Sequence, residues 1–230
     1  AHDPPVQCTV LSACAMRVEY LASNDPFENA AFEERIYRGQ RLGGEATLLF
    51  YTNRESVLLG RNQEPSRECD LAWCESEGVP VLRRVSGGGT VWHDLGNQNY
   101  AFIMPRRSYD PERILSIVVD ALRLVGVKDA FFCRRFSVWH GDNKISGSAF
   151  ALSGQGALLH GCLPFTSDLA RLQRALVKDA AGDDPAVPRS RIASVVSSVE
   201  NIAPLCTSPE RCRNDFCQAL ATLAATIPLV

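Results

Sequence analysis

Short runs of strand length dominate the hydrophobic pattern of this chain, and a few stretches of helical spacing interrupt them. Ala46–Thr52, Ser56–Leu59, Val79–Arg84, Thr90–His93 and Gln98–Met104 read as strands in the first half. Lys128–Cys133, Ser137–Trp139, Lys144–Leu152 and Ala157–Phe165 read as strands in the second. The pattern predicts that the first two form a hairpin around Asn53-Arg54-Glu55. Asp25 stands as an N-cap, with Pro26 at the first helical position and Glu28 completing a capping box, for a helix reaching about Arg38. Asp70–Glu77 makes a short helix ended by Gly78. Asp110-Pro111 opens another, in which Ile114, Leu115, Val118, Leu122 and Val125 share one core-facing stripe. Ser167 or Asp168 caps a helix to about Leu176. Ser208-Pro209 starts a last one with Phe216, Leu220 and Leu223 on one face. Ala180–Pro188, rich in Ala, Gly, Asp and Pro, reads as a linker-like loop. Strands in hairpins, without strict βαβ alternation, predict an α+β layered fold with a central mixed or antiparallel sheet flanked by helices.

Composition narrows the classes of function. The 230 residues are 46% hydrophobic and 22% charged, enough for a full core, and the whole length reads as a single catalytic domain, 1–230, with no separate C-terminal accessory domain. A formal net charge of −2 offers no general basic surface for nucleic acid. Basic residues still gather locally at Arg61, Arg83, Arg84, Arg106, Arg107, Arg134 and Arg135. On one face they would steer an acidic protein partner; scattered, they are solvated arginines. Nine cysteines, an odd number with no Cys-x-x-Cys pair and no zinc spacing, predict reduced thiols in an intracellular reducing compartment. No run of 18 apolar residues predicts a membrane span, and the first residues carry neither a signal-peptide core nor an Arg-rich transit helix.

The chemistry concentrates in Arg83-Arg84-Val85-Ser86-Gly87-Gly88-Gly89-Thr90-Val91-Trp92-His93-Asp94-Leu95-Gly96-Asn97. Three glycines bare the backbone, whose successive N–H groups can form a concavity for an anion. Arg83 or Arg84 can clamp the same anion with a planar fork of donors. The plainer reading is a hairpin loop between Val79–Arg84 and Thr90–His93. The segment is neither a P-loop nor a dinucleotide fingerprint, because it lacks Gly-Lys-Ser/Thr and Gly-x-Gly-x-x-Gly. A second cluster, Gly141-Asp142-Asn143-Lys144-Ile145-Ser146-Gly147-Ser148-Ala149, sets one ammonium among small residues. There it can meet a phosphate or a polarised carbonyl, or simply face solvent on a turn. His160 sits in the apolar run Leu158–Leu163, where a histidine is more often a satisfied core residue than a functional one.

Taken together these segments resemble the lipoate–protein ligases, within the wider group of biotin and lipoate attachment enzymes. The resemblance runs from about Asp25 to Ile202. It is carried by Leu59-Gly60-Arg61-Asn62-Gln63, the Arg83–Asn97 motif, Lys144–Ala149, His160-Gly161-Cys162-Leu163 and Ser194-Val195 to Asn201-Ile202. The glycine-arginine loop of biotin ligases is absent.

The resemblance implies a biotin/lipoate-ligase-like fold. It also implies two reactions: ATP and lipoate form lipoyl-AMP with Mg2+, then the lipoyl group passes to a lysine of a carrier domain. Such carriers are the lipoyl domains of 2-oxoacid dehydrogenase complexes or the glycine cleavage H protein. Arg84, Gly87, Gly88, Gly89, Thr90, Val91, Trp92 and Lys144 would hold the nucleotide. Lys144, Arg84, His93, Asp94, Gly147 and His160 would hold the acyl substrate, with Lys144 catalytic and no protein metal ligands. Val85, Val91 and Leu159 would line an apolar tunnel or belong to the core. The location implied is mitochondrial in a eukaryote and cytoplasmic otherwise.

Cys162 replaces a usual threonine, and Arg134-Arg135-Phe136-Ser137 stands where Arg-Asn-Asp is usual. With the short tail after Asn201, these departures keep two alternatives open. One is a transferase that uses preformed lipoyl-adenylate. The other is an ATP-independent octanoyl or lipoyl transferase working through a cysteine, Cys133 or Cys162.

Overall fold

The computed structural model describes residues 16–176, 186 and 193–229. Its strands are β1 (Arg17–Tyr20), β2 (Thr47–Tyr51), β3 (Ser56–Leu59), β4 (Val81–Arg83), β5 (Val91–His93), β6 (Asn97–Pro105), β7 (Phe131–Phe132), β8 (Val138–His140), β9 (Asn143–Leu152) and β10 (Gly156–Pro164). Its α-helices are α1 (Pro26–Gly39), α2 (Pro65–Glu68), α3 (Leu71–Ser76), α4 (Pro111–Leu124), α5 (Leu169–Ala175) and α6 (Cys212–Ala224). Seven strands form a mixed sheet in the order β1-β2-β6-β10-β9-β8-β7, in which only β1 and β2 run parallel. A smaller sheet has the order β4-β3-β5.

Alternation along the long strands decides the layers. Leu48, Phe50, Tyr100, Phe102, Met104 and Leu159 face a large core closed by the apolar stripe of α4 and by Phe216 and Leu220 of α6. Leu49, Tyr51, Ala101, Ile103 and Leu158 face the other way, toward Tyr37 of α1. Burial of the α4 stripe alone, at about 2 kcal/mol per large side chain, outweighs any single polar contact in the fold.

The α+β architecture with a mixed sheet flanked by helices is as predicted. Several local expectations are corrected. β2 and β3 do not form a hairpin: β2 joins the large sheet and β3 the small one. The glycine segment is not a hairpin turn either, because β4 and β5 lie on opposite sides of β3, parallel and antiparallel to it. Asp25 caps α1 through Phe27 and Glu28 N–H, but the Glu28 carboxylate accepts from Ser23 Oγ, so the capping box does not close. The expected strand Lys128–Cys133 shrinks to β7, the last helix starts at Cys212, and β1 and α2 were not anticipated. The expected loop at 180–188 lies, but for residue 186, outside the described residues. Among the described residues no helix is long and apolar enough to cross a membrane.

Candidate active site

The triple glycine crosses the end of β3 and is held there by its own arginine. Arg84 is buried; Nε donates to Ser86 Oγ at 2.9 Å, Nη1 to the Leu58 carbonyl at 2.9 Å, and Nη2 to the Gly87 and Gly89 carbonyls. A planar fork can make these bonds together; a lysine could not. Burial pulls the Arg84 guanidinium down to about 10, and it stays cationic at neutral pH. Gly88 has φ +83°, and a Cβ on Gly60 would run into its carbonyl, so both positions demand glycine. Arg83 turns away and donates to the carbonyls of Gly60, Arg61 and Gln63.

A strap of residues 193–199 lies over the loop. Ser194 Oγ accepts from Thr90 N at 2.8 Å and from Gln63 Nε2 at 3.0 Å, while Gln63 Oε1 accepts from Gly60 N and Thr90 Oγ1. Farther along, Lys144 N donates to the Ser198 carbonyl at 2.8 Å, and Lys144 bridges Val199 in parallel. Glu200 fastens the end of the strap to His140 Nδ1 at 2.7 Å and Asn143 Nδ2 at 3.2 Å.

Two clefts meet at Lys144. The first, about 450 Å3, is walled by Gly88, Gly89, Thr90, Val91 and His93 on one side and by Tyr51, Asn99, Ala149, His160 and Cys162 on the other. The second, about 440 Å3, lies between Trp92, Pro164, Leu172 and Leu176 and the strap residues Val195, Val196 and Val199. Lys144, Gly147, Thr90, Val91, Cys162 and Ser194 belong to the walls of both. A Cβ on Gly147 would stand 3.4 Å from Lys144 Nζ, so the ammonium lies over this bare stretch of β9.

The inner end of the first cleft is polar and internally paired. His160 Nδ1 meets Glu33 Oε1 at 2.8 Å, its Nε2 meets Ser86 Oγ at 2.6 Å, and Tyr51 donates to Glu33 Oε2 at 3.0 Å. The connectivity is that of a hydroxyl, base and carboxylate. Ser86, however, is fully buried, does not line the cleft, and already accepts from Arg84. The chain therefore braces the glycine loop against α1 rather than presenting a nucleophile. Asn53 Oδ1 accepts from Asn29, so its amide donates to His93 Nδ1 at 3.0 Å, which leaves the proton on Nε2. Burial, with Arg84 and His160 nearby, pushes His93 down to about 3, and the ring is neutral.

Of the residues singled out from the sequence, Arg84, Gly88, Gly89, Thr90, Val91, His93, Lys144, Gly147 and His160 share the first cleft. Trp92 borders the second, with its Nε1 bonded to Asp94 at 3.0 Å. Gly87 and Asp94 stand outside both walls. Asp94 is engaged by Trp92, Gly96 N and Asp168 N, and anchors the turn before β6. Among the tunnel candidates Val91 lines both clefts, while Leu159 faces the opposite core and Val85 packs under α1.

Glu33, Tyr51, Asn53 and Asn99 were missed. Only the polar Asn29 and Glu33 one turn apart, on the face of α1 that also carries Tyr37, hinted at them. Of the two cysteines considered, both are partly buried, and Cys162 lines both clefts. Burial pushes its thiol up against the pull of Lys144 and the Gly147 N–H. At Cys133 burial also resists ionisation, but the N–H groups of Ser137 and Arg135 outweigh it and pull the thiol below its usual range.

Comparison with known proteins follows the same lines. The sequence model of the lipoyl protein ligase A/B catalytic domain matches residues 25–223. The chain is 35% identical over 191 residues to lipoate-protein ligase A of Psychrobacter cryohalolentis, covering 81% of this chain and 56% of that one. It is 36% identical over 182 residues to the human mitochondrial lipoyl amidotransferase LIPT1, covering 78% and 48%. The chain thus spans about half the length of these relatives. Among solved structures, that of a bi-partite lipoate protein ligase and its E2 lipoyl domain from Thermoplasma acidophilum superposes with a TM-score of 0.74 at 27% identity, over 91% of this chain and 83% of that one.

Proposed function

The chain belongs to the lipoyl protein ligase A/B catalytic-domain family, and on that premise we propose that it joins a lipoyl group to a lysine of a lipoyl carrier domain, through lipoyl-adenylate made from ATP and lipoate. The observation that carries the reading is the position of Lys144 in the wall common to two clefts, opposite Gly89 and Thr90. One cleft takes the acyl chain and the other the nucleotide, so that the reacting carbonyl and phosphate meet at the ammonium.

In the first reaction a carboxylate oxygen attacks the α-phosphorus and the bond to pyrophosphate breaks. Two anions must approach, and the Lys144 ammonium with the bared N–H groups of the glycine loop offsets their repulsion. Arg84 contributes its field and a fixed loop rather than free donors, since its fork is already spent. A divalent cation would arrive on the phosphates of ATP and keep much of its water shell. Among the described residues no group of three or more His, Cys, Asp or Glu is gathered for it. In the second reaction the acceptor amine attacks the carbonyl, the C–O anhydride bond breaks, AMP leaves and the amine gives up a proton. At pH 7 a free lysine must spend about 4–5 kcal/mol to become neutral. A cationic Lys144 beside it lowers that cost and polarises the carbonyl. Seven free cysteines among the described residues suit a reducing compartment.

The second reading, transfer from preformed lipoyl-adenylate alone, is favoured by the amidotransferase among the relatives. Intact mass of an apo lipoyl domain separates the two. One arm supplies ATP, Mg2+ and lipoate, and the other supplies lipoyl-AMP. Modification in both arms is expected of the full ligase, and modification in the second arm only identifies a transferase. An unmodified carrier in both arms defeats the proposal. Cysteine-to-serine variants at 133 and 162 that still transfer would set aside the thioester route.

A further inference from the structure

A row of residues crosses the large sheet beneath the first cleft. Tyr51 of β2 opposes Asn99 of β6, Asn99 opposes Cys162 of β10, and Cys162 opposes Gly147 of β9. Directly opposed residues share one face of a sheet, and all four line the cleft. The row therefore runs from the Lys144 ammonium, over Gly147, toward the closed end at Tyr51. Neighbouring strands lie about 4.8 Å apart, which sets Asn99 roughly 10 Å from the ammonium. An extended eight-carbon acyl chain, built from C–C bonds of about 1.5 Å, covers about 9 Å. With its carbonyl at Lys144, its far end reaches Asn99.

Asn99 is the unusual member of this row. It is 1% exposed, and its Oδ1 accepts from Asn97 Nδ2 at 2.9 Å, but its own Nδ2 has no hydrogen-bond partner. Beside it, Tyr51, Glu33 and His160 spend their polar atoms on one another and on Ser86. A buried amide N–H without an acceptor is costly, and native proteins seldom leave one.

The geometry points to Asn99 as the residue by which this site distinguishes a sulfur-bearing acyl chain from a plain alkyl one. The inference rests on the acyl-transfer reading above. A dithiolane sulfur is a weak acceptor that Nδ2 can meet. A terminal methyl offers it no acceptor and leaves the donor as unpaired as it is in the free protein. Discrimination thus comes from the acceptor that only the sulfur-bearing ligand brings to a donor otherwise left unpaired.

The test uses lipoyl-AMP and octanoyl-AMP as donors to an apo lipoyl domain, and takes the ratio of their kcat/KM values, which cancels a general loss of folded enzyme. Wild type should favour the lipoyl donor. Asn99→Leu should reduce that ratio by about tenfold, chiefly by improving the octanoyl donor relative to the lipoyl one. Because leucine also orphans Asn97, Asn99→Ser, which leaves a small hydroxyl and withdraws the amide, should move the ratio the same way. Calorimetric affinities for free lipoate and octanoate should shift in parallel. Equal ratios in wild type and both variants overturn the assignment even if transfer proceeds. If wild type transfers neither group, the acyl-transfer reading fails, and a binding ratio unchanged by substitution then overturns the role of Asn99 as well.

Discussion

Ser194 Oγ accepts the backbone N–H of Thr90 at 2.8 Å, joining two positions 104 residues apart and pinning the strap to the glycine loop. The same hydroxyl accepts from Gln63, and a Cβ on Gly89 would come within 3.1 Å of it. Removing it costs two hydrogen bonds, each worth about 0.5–1.5 kcal/mol net. Ser194→Ala should raise the KM for acyl-adenylate by about tenfold with kcat nearly unchanged, as steady-state transfer kinetics would reveal. A fall in kcat with KM constant would contradict a role in holding the loop.

Among the described residues Lys144 is the one side-chain cation that the two cleft walls share. Lys144→Ala should abolish transfer from lipoyl-AMP while leaving the far-UV circular dichroism spectrum intact. Lys144→Arg should not restore it. A guanidinium over Gly147 is broader than an ammonium, and the ammonium already sits 3.4 Å from where a Cβ at 147 would stand. Normal carrier modification by the alanine variant, read by mass spectrometry, would remove Lys144 from the chemistry.

His93 gives a pH dependence with a definite sign. Burial holds its pKa at about 3 in the folded protein, below the unfolded value of about 6.5. Between these values the unfolded chain binds the extra proton. Stability therefore falls as the pH drops through this window, by about 1.4 kcal/mol per pH unit from this residue. Urea unfolding at pH 7, 5.5 and 4.5 should show a shallower decline in His93→Gln than in wild type. Parallel declines would mean that the ring is not held neutral.

Cys133 should be the most readily alkylated of the described cysteines. Its thiol is pulled below the usual range and is only partly buried, whereas burial pushes Cys69, Cys206 and Cys217 up to about 12 and raises Cys74, Cys162 and Cys212 as well. Limited iodoacetamide treatment at pH 7 followed by peptide mapping should find Cys133 labelled first among these seven, and lipoyl-AMP should protect it, since it lines the first cleft. Labelling of Cys162 ahead of Cys133 would contradict the electrostatics described.

Much of the local architecture was legible in the residues. The stripe from Ile114 to Val125 gave α4 its buried face, and Asp110 and Asp168 cap the helices they precede. Lys144 and Gly89 could be singled out because unusual backbone freedom and a charge among small residues are local signals. Pairing was not legible in the same way. β2 and β3 are separated by a loop of turn-forming residues that suits a hairpin, yet each finds its partner in a different sheet. The preference is settled by which faces bury apolar surface, a property of the whole fold.

The periodicities, the caps and the candidate glycine loop and lysine were readable along the chain, because each is marked by residues within a few positions of one another. That Glu33, Tyr51, Asn99 and His160 line one cleft, and that Asn99 stands there with an unpaired amide donor, emerged with the packed fold. These residues come from α1, β2, β6 and β10, and nothing in the short-range pattern of each segment depends on the others. Their convergence follows from strand order and register, which long-range burial fixes only when the chain is folded.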